Sequence, residues 1–398
     1  MLLRLGLKNL RHNIFINLLI VIQMTVVFLI TISMVSTVIS RFQFYSPIKE
    51  YLNSKGYFYC IENAINPDTQ QTLRSTEELY GLLDNAENIT ASYNDWLTYN
   101  GDNSKFISYD DEFINMFTPE LESGKWFDLN KDQSDTVQVV VSENSYGFKV
   151  GDKITLDSFG NDINAEVIGI LKKNTKIIGF SVSESKKYDC RNTFINYNYE
   201  IEEKPLFILS QRGLLDKNVT MQLSGTVFVT YPEDISDEII EANNSTMKKM
   251  MTLNITPLDE MKENSMDYIF SQIYTLFPIM ICIFVLTLVS AVSISALSAK
   301  NQLKNYAVYY ICGLKWKQCA MINFYSSLIS VVLSFIISIV AMFTVKLTGV
   351  MEETVIDFGI WQFISCMVII MFYMILSVIL PVSIIGKNTP NQILKSNG

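Results

Sequence analysis

The sequence predicts an α-helical membrane protein with four transmembrane helices and a mixed α/β extracytoplasmic domain inserted between helices 1 and 2. Of its 398 residues, 49% are hydrophobic and 18% are charged, an apolar bias relative to soluble proteins. Four stretches carry no charged residue and exceed the roughly twenty residues that span a hydrocarbon core. All forty acidic residues lie between Glu50 and Asp357. Apolar spans and segregated charge together predict this architecture.

The first thirteen residues read as a cytoplasmic amphipathic entry helix. Three basic residues recur at i, i+4 and i+7, and three leucines repeat on the adjacent face (Arg4, Lys8 and Arg11; Leu3, Leu7 and Leu10). Such a helix suits the inner leaflet of a membrane. The same charges would also serve as a simple orientation signal, but that interpretation leaves the leucines unexplained.

The spans and their connections follow in order along the chain. The predicted transmembrane helices occupy residues 14–40, 268–299, 319–345 and 358–386. Between and after them come the extracytoplasmic domain at 41–267, a cytoplasmic loop at 300–318, a short external loop at 346–357 and a cytoplasmic tail at 387–398.

Charge sets the expected orientation. Residues 1–13, 300–318 and 387–398 contain lysine or arginine and no acid. Short loops rich in these two residues stay in the cytoplasm. Both termini and the 300–318 loop are therefore expected to lie in the cytoplasm.

The segment 41–267 reads as mixed α and β, with a β-rich subdomain at about 128–200. Short β-branched and aromatic runs such as VQVVVS and AEVIGIL predict strands, and turns are expected at 150–152 and 159–162. Its 21 basic and 37 acidic residues give a net charge of −16, consistent with a solvated surface or with attraction for cationic peptides. Cys60 and Cys190 face the outside, where a disulfide is one option.

Several chemistries are excluded by composition. The chain has one histidine, His12, so no Ser-His-Asp or Cys-His constellation can form outside. It contains no phosphate-binding G-x-x-x-x-G-K-[ST] loop. The spans lack Asp, Glu, Lys and Arg, which mark ion pathways in other membrane proteins. We therefore expect neither an enzyme nor an ion-coupled carrier, and no nucleic-acid partner.

The stretch YICGLKWKQ, residues 310–318, places a glycine between aromatics and lysines. A helix from Lys300 can end at Cys312, with Gly313 in the left-handed position that follows a helix. A second helix would begin near Lys315. The aromatics expected on the surface are Tyr306, Tyr309, Tyr310 and Trp316. Two interpretations stay open at this point, a docking surface and a membrane re-entry loop with interfacial aromatics.

Residues 303–318, LKNYAVYYICGLKWKQ, resemble the segment of FtsX-like ABC transporter permeases that reads basic-Glu-Ile-Gly-x-x-Arg-Ala-Leu-Gly-Ala-[ST]. Lys304 matches the basic residue, Ala307 the first glycine and Gly313 the second. The family's acid is Asn305 here and its arginine is Tyr310, which puts any ion pair made by those positions in doubt.

Three other regions carry the resemblance in the family's order. The tail LPVSIIGKNTPNQILK is similar to the closing motif of the family, with Pro381, Lys387, Pro390, Leu394 and Lys395 in register. The start LRLGLKNLRHN resembles the basic entry helix. The stretch from VVVSENSYGFKVGDKITL to AEVIGIL resembles the extracytoplasmic core of macrolide-exporter-like members.

The resemblance implies a permease subunit without its own ATPase site, binding no cofactor directly. ATP and Mg would be held by a separate cytoplasmic ABC ATPase, and its hydrolysis would drive extracytoplasmic motion that exports a peptide or hydrophobic compound. Pairing with a second copy or a paralogous permease is implied, and a membrane-fusion or accessory extracytoplasmic protein is a further partner. The residues implied to bind the ATPase are Lys304, Tyr309, Tyr310, Gly313, Lys315, Trp316 and Lys317.

Two alternatives stay open. One is a mechanotransmitting regulator of a cell-wall hydrolase, against which the size of the 41–267 domain counts. The other is a membrane-anchored sensor or adaptor without ATPase coupling, which would leave the Gly313 loop and the proline-containing tail unexplained. The transported molecule is not encoded in any motif.

Overall fold

The computed structural model of the chain divides into two compact units, each described by itself below. One unit comprises Met1–Arg41 with Ile269–Gly398, and the other Phe42–Tyr268. The structure describes residues 2–12, 14–63, 73, 75–131, 133, 135–142, 146–172, 175–179, 187–196, 205–215, 217, 219, 221–348 and 358–386. The predicted tail at 387–398 and most of the predicted external loop at 346–357 lie outside these residues.

The described α-helices are α1 (Leu2–His12), α2 (Ile14–Tyr45), α3 (Lys49–Leu52), α4 (Thr76–Tyr80), α5 (Asp111–Met116), α6 (Gln211–Leu215), α7 (Asp237–Met250), α8 (Leu258–Asn301), α9 (Leu303–Ile311), α10 (Trp316–Thr348) and α11 (Ile360–Gly386). The described strands are β1 (Gly56–Asn63), β2 (Asn88–Tyr99), β3 (Asp102–Tyr109), β4 (Leu121–Gly124), β5 (Val137–Ser142), β6 (Lys153–Ser158), β7 (Asn161–Leu171), β8 (Lys176–Ile178), β9 (Phe194–Asn196), β10 (Phe207–Ser210), β11 (Gln222–Thr230) and β12 (Thr252–Pro257).

Long apolar helices make this chain a membrane protein. Within the described residues, three helices are long and apolar enough to span a bilayer, through Asn17–Tyr45, Leu258–Ile294 and Phe324–Val345. A shorter apolar segment, Ile360–Leu376, lies in α11. Helices therefore occupy all four predicted positions, while the count of four spans stays a prediction.

Helix α2 contacts three other membrane helices through polar side chains. Gln23 donates from Nε2 to Ser290 Oγ on α8 at 3.2 Å, and Gln362 of α11 donates to Ser36 Oγ at 3.0 Å. Ser330 of α10 donates to Asn17 Oδ1 at 3.3 Å. In hydrocarbon a polar group must find its partner within the protein, so these pairs select the neighbours of α2.

A row of small residues allows α10 to approach its neighbours closely. Ser326, Ser330, Ser334 and Ser338 recur every fourth residue and are all buried. Small side chains at this spacing are typical of packed membrane helices. Ser338 donates to the backbone oxygen of Thr25 on α2 at 3.3 Å.

Helix α1 packs against α10 at a glycine. A Cβ built on Gly6 would lie 3.0 Å from Tyr325 Cβ and 3.4 Å from the carbonyl oxygen of Ile322, so little space is left for a side chain. Gly6 is buried, while Leu7 of the predicted leucine stripe is half exposed. The contact face of α1 with α10 therefore contains a glycine that the periodicity of leucines does not reveal.

The second unit is built on a mixed sheet. Ten of the described strands form it in the order β12-β1-β11-β2-β3-β10-β5-β7-β4, with β6 pairing with β2 and β7. β5 runs parallel to β7, and β10 runs parallel to β3. The other two described strands, β8 and β9, form a separate antiparallel pair. The hydrophobic core lies on the large sheet and includes Tyr59, Phe106, Val139, Val167 and Phe207.

The expected strands and turns of the β-rich segment are present. β5 is buried along its whole length, as its run of valines requires, whereas β6 alternates between exposed and buried residues. The β6–β7 turn is formed by Phe159 and Gly160, both with positive φ, at 50° and 89°. Two consecutive positive φ values make a type I′ hairpin turn.

A buried carboxylate connects α5 to the sheet. Asp110 caps the N-terminus of α5 by accepting the Phe113 backbone N–H at 2.9 Å. It also accepts the Ala91 N–H at 2.7 Å, the Thr90 hydroxyl at 2.7 Å and the Thr76 hydroxyl at 3.3 Å. Burial raises the pKa of Asp110 to about 6, although these hydrogen bonds lower it.

Asp110 should make the stability of the chain fall as pH rises from about 4 to about 6. Its pKa of about 6 in the folded state exceeds the unfolded value of about 3.9, so the folded chain binds more protons in that range. Thermal unfolding of the full chain in detergent across this range should show the trend.

Asp110→Asn should flatten that pH profile, because the amide does not titrate. The free energy of unfolding should also fall at every pH, because the variant lacks the carboxylate that accepts these hydrogen bonds. Asp111→Asn changes the neighbouring carboxylate, which is half-exposed and paired with Arg212, and serves as the matched control. An Asp110→Asn profile parallel to that of the unmodified chain would show that Asp110 is not responsible.

Candidate functional site

The stretch between α9 and α10 forms a turn of defined geometry. Cys312 follows α9, and Gly313 has φ of +100°. The Gly313 N–H donates to the Tyr310 carbonyl at 2.9 Å, and the Leu314 N–H donates to the Tyr309 carbonyl at 3.0 Å. These two bonds form a Schellman motif. The predicted left-handed role of Gly313 is confirmed.

A small apolar cluster closes the turn. Tyr306 is fully buried, and Leu303, Tyr309 and Leu314 pack against it. Tyr309 and Leu314 occupy the positions of the hydrophobic pair that accompanies a Schellman motif, and here both pack against Tyr306. The expectation that Tyr306 is exposed was wrong, because its ring forms the centre of this cluster. Tyr309 is half-buried for the same reason.

The helix before the turn is shorter than expected. α8 ends at Asn301 and α9 begins at Leu303, with Gln302 between them. A single helix from Lys300 to Cys312 was therefore a wrong prediction. Gln302 is buried. It is the N-cap residue of α9, and its carbonyl accepts the Tyr306 N–H at 2.9 Å as the first backbone bond of that helix.

Gln318 caps the start of α10 and was not singled out from the sequence. Its side-chain Oε1 accepts the Lys315 N–H at 2.8 Å, and its own N–H donates to the Lys315 carbonyl at 2.8 Å. A glutamine three residues after a helix N-cap is the signal that could have identified it.

The residues predicted to bind a partner divide into three groups. Lys304, Tyr310, Gly313 and Lys315 are exposed, and Tyr309 is half-buried. The backbones of Trp316 and Lys317 belong to α10, but their side chains lie outside the described residues. The turn therefore presents cations and aromatics on a backbone held by its own hydrogen bonds.

The second unit contains a polar cleft of about 780 Å³. Three glutamates line it, Glu50, Glu87 and Glu112, together with Tyr51 and Met116. Among the described residues that line it there is no lysine or arginine. Its field favours cations, in keeping with the net negative charge of this segment. Across the described chain, no group of three or more His, Cys, Asp or Glu residues is arranged to hold a metal ion.

The two cysteines of the second unit are buried and free. Burial raises the pKa of the Cys60 thiol to about 11 and that of the Cys190 thiol to about 12. The structure does not join Cys60 and Cys190 by the disulfide that the sequence allowed.

The solved structures that are similar to this chain include two extracytoplasmic domains. One is the periplasmic region of MacB from Actinobacillus actinomycetemcomitans, at 10% identity and a TM-score of 0.31, with 55% of this chain and 94% of that one covered. The other is the extracellular domain of the noncanonic ABC-type transporter YknZ from Gram-positive bacteria, at 14% identity and a TM-score of 0.29, with 52% and 99% covered.

Both neighbours are extracytoplasmic domains by their descriptions. No family model and no curated protein matches the chain.

Gly313→Ala should lower the stability of the chain by about 1 kcal/mol, because a side chain is strained in the left-handed region. Among the described residues, no atom beyond its chain neighbours lies within 4 Å of the position that a Cβ would take at Gly313, so the backbone angle alone is tested. Gly81→Ala is the control, since Gly81 also follows a helix but has φ of −70°. Thermal unfolding of the purified chain measures both, and equal shifts would contradict a special role for Gly313.

Proposed function

We propose that this chain is the permease subunit of an ABC transporter, coupled to a separate cytoplasmic ATPase that holds ATP and Mg. The observation that carries the proposal is the preorganised turn at Gly313. A small core and a Schellman motif hold the turn, and acid-free flanks expose lysine and tyrosine. A surface with rigid backbone and exposed aromatics suits a permanent protein partner.

The apolar helices support a role in transmitting motion rather than in conducting ions. The four predicted spans contain no Asp, Glu, Lys or Arg, the residues that form ion pathways in membrane proteins. Energy for transport would then come from the ATPase. The product moved would be a peptide or a hydrophobic compound, exported with the help of the extracytoplasmic unit.

The assembly that follows from this proposal contains two permease chains, identical or paralogous, and two ATPase subunits. A membrane-fusion or accessory extracytoplasmic protein would complete it. The proposal also places the chain in the plasma membrane of a bacterium, with both termini inside. Charge segregation along the sequence supports that orientation.

The orientation predicts opposite labelling of two exposed lysine positions. In a background lacking Cys282, Cys312 and Cys319, an impermeant thiol reagent applied to intact cells should label Lys153→Cys and leave Lys304→Cys unlabelled. Both lysines are exposed in the structure, so the difference reports the side of the membrane. Labelling of position 304 from outside would overturn the orientation and the docking role of the turn.

Loss of one exposed aromatic should weaken the partnership with the ATPase. Tyr310→Ala should weaken the affinity for the ABC ATPase encoded nearest this chain about tenfold, because exposed aromatics dominate many interfaces. The amount of ATPase that co-purifies with the chain should fall accordingly. Tyr310 is preferred to the half-buried Tyr309, whose loss would also unpack the turn. Phe159→Ala, at an exposed aromatic of the extracytoplasmic unit, is the control. Equal co-purification of both variants would show that Tyr310 is not part of the contact, whereas failure of the unmodified chain to bind the ATPase would favour the adaptor alternative.

A further inference from the structure

The second unit is joined to the rest of the chain at two points, the end of α2 and the start of α8. Phe42 is its first residue and Tyr268 its last. Within this unit the β8–β9 pair lies outside the large sheet, and a 3₁₀ turn, Cys190–Thr193, directly precedes β9. We call β8, residues 188–193 and β9 the clasp. Its contacts are with both of the helices at which the unit joins the rest of the chain.

On one side the clasp holds the end of α2. The Lys176 ammonium group of β8 lies 3.7 Å from the centroid of the Phe44 ring, and it donates to Gln43 Oε1 at 3.2 Å. Phe194 of β9 packs edge to face against the same ring, with centroids 5.6 Å apart. A cation and an aromatic edge are both favourable partners of a phenyl ring. Both strands of the clasp therefore hold Phe44.

On the other side the clasp holds the part of α8 that belongs to the second unit. The Cys190 N–H donates to Ser265 Oγ at 2.9 Å, and Asn264 Nδ2 donates to the Tyr188 carbonyl oxygen at 3.1 Å. Ser265 and Cys190 are fully buried. A buried N–H without its partner is costly, so the contact between the 3₁₀ turn and α8 is specific.

A charged pair completes the contact with α8. The Arg191 guanidinium group lies 4.0 Å from the centroid of the Tyr268 ring. The buried Asp189 carboxylate orients it, accepting from Arg191 Nη2 at 2.7 Å and from Arg191 Nε at 3.0 Å. A guanidinium group held by both carboxylate oxygens has a fixed direction. Arg191 is thereby kept over the ring of α8.

The clasp is also attached to the large sheet. The Tyr109 hydroxyl of β3 donates to the Ile178 carbonyl oxygen at 2.5 Å, and the Thr226 hydroxyl of β11 donates to the Gly179 carbonyl oxygen at 2.8 Å. Tyr109 and Thr226 are both buried. The end of α2, the start of α8 and the sheet are therefore all in contact with one small element.

From these contacts we propose that the clasp is a conformational coupling device. It keeps the end of α2 and the start of α8 in one arrangement, so a displacement of either helix end is passed to the other and to the sheet. Coupling of this kind needs a contiguous network of contacts, and the clasp provides one within a single unit. Because the network belongs to this chain alone, the inference does not depend on the ATPase partner.

The test measures amide hydrogen exchange of the full-length chain in detergent, in residues 42–46 and 188–194. Lys176→Met removes the cation on the α2 side and keeps an apolar side chain. Arg191→Gln removes the cation on the α8 side. Each change should accelerate exchange about tenfold in both segments, because both contacts stabilise the same closed state against local opening. Exchange in the buried strand β5 should be unchanged.

Spin labels report the separation of the two helix ends directly. Ser46→Cys and Asp267→Cys, both at exposed positions, would carry the labels in a background lacking Cys282, Cys312 and Cys319. Their distance distribution should be narrow in the chain with an intact clasp. It should widen with Lys176→Met and with Arg191→Gln.

Matched controls make the same changes outside the clasp. Lys131 pairs with Glu166 at 3.0 Å, and Arg212 pairs with Asp111. Lys131→Met and Arg212→Gln therefore each remove an ion-paired cation from the same unit. They should leave exchange in both segments and the label distance unchanged.

The pattern of exchange decides between coupling and independent packing. The double variant should multiply the two accelerations in both segments, since both contacts oppose one opening. If Lys176→Met acts only on residues 42–46 and Arg191→Gln only on residues 188–194, the two sides are independent and the proposal is overturned. Equal acceleration in β5 would also overturn it, because the contacts would then stabilise the whole unit rather than a clasp.

Discussion

Polar side chains within the apolar helices determine which membrane helices can be neighbours. Gln23, Ser36 and Asn17 of α2 each pair with a different helix. An apolar surface is equally satisfied by lipid and by another helix, so apolar packing alone selects no partner. A hydrogen bond in hydrocarbon does select one, because an unpaired group there has no water to replace it. The arrangement around α2 follows from this requirement, and the serine row of α10 provides the close approach that it needs.

The turn at Gly313 depends on a left-handed backbone position that glycine adopts without strain, and on a small apolar cluster. The Schellman hydrogen bonds close the end of α9, and Tyr306 fills the space beneath them. Burying the tyrosine leaves Val308 and Ile311 outside. The composition of the exposed face is therefore a consequence of what stabilises the turn.

The sequence predicts those features of the fold that depend only on neighbouring residues. The glycine at 313 and the turn at 159–160 follow from backbone preferences, and the long apolar runs follow from hydropathy. The sheet order could not be predicted, because the pairing of β10 with β3 joins segments far apart in the chain. The burial of Tyr306 could not be predicted from the sequence. In a helix of nine residues, the spacing of apolar residues does not show that one aromatic ring packs against the turn that follows the helix. The hairpin at Asn100 and Gly101, with φ of 50° and 87°, is indicated by the Asn-Gly pair itself, which favours a two-residue hairpin turn.

The two buried thiols of the second unit have a consequence for its redox chemistry. A thiol with a raised pKa is mostly protonated near neutral pH, and only the thiolate exchanges with disulfides. Cys60 and Cys190 are buried as well, so oxidants and other thiols reach them slowly. The stability of this unit should therefore be the same in oxidising and in reducing surroundings.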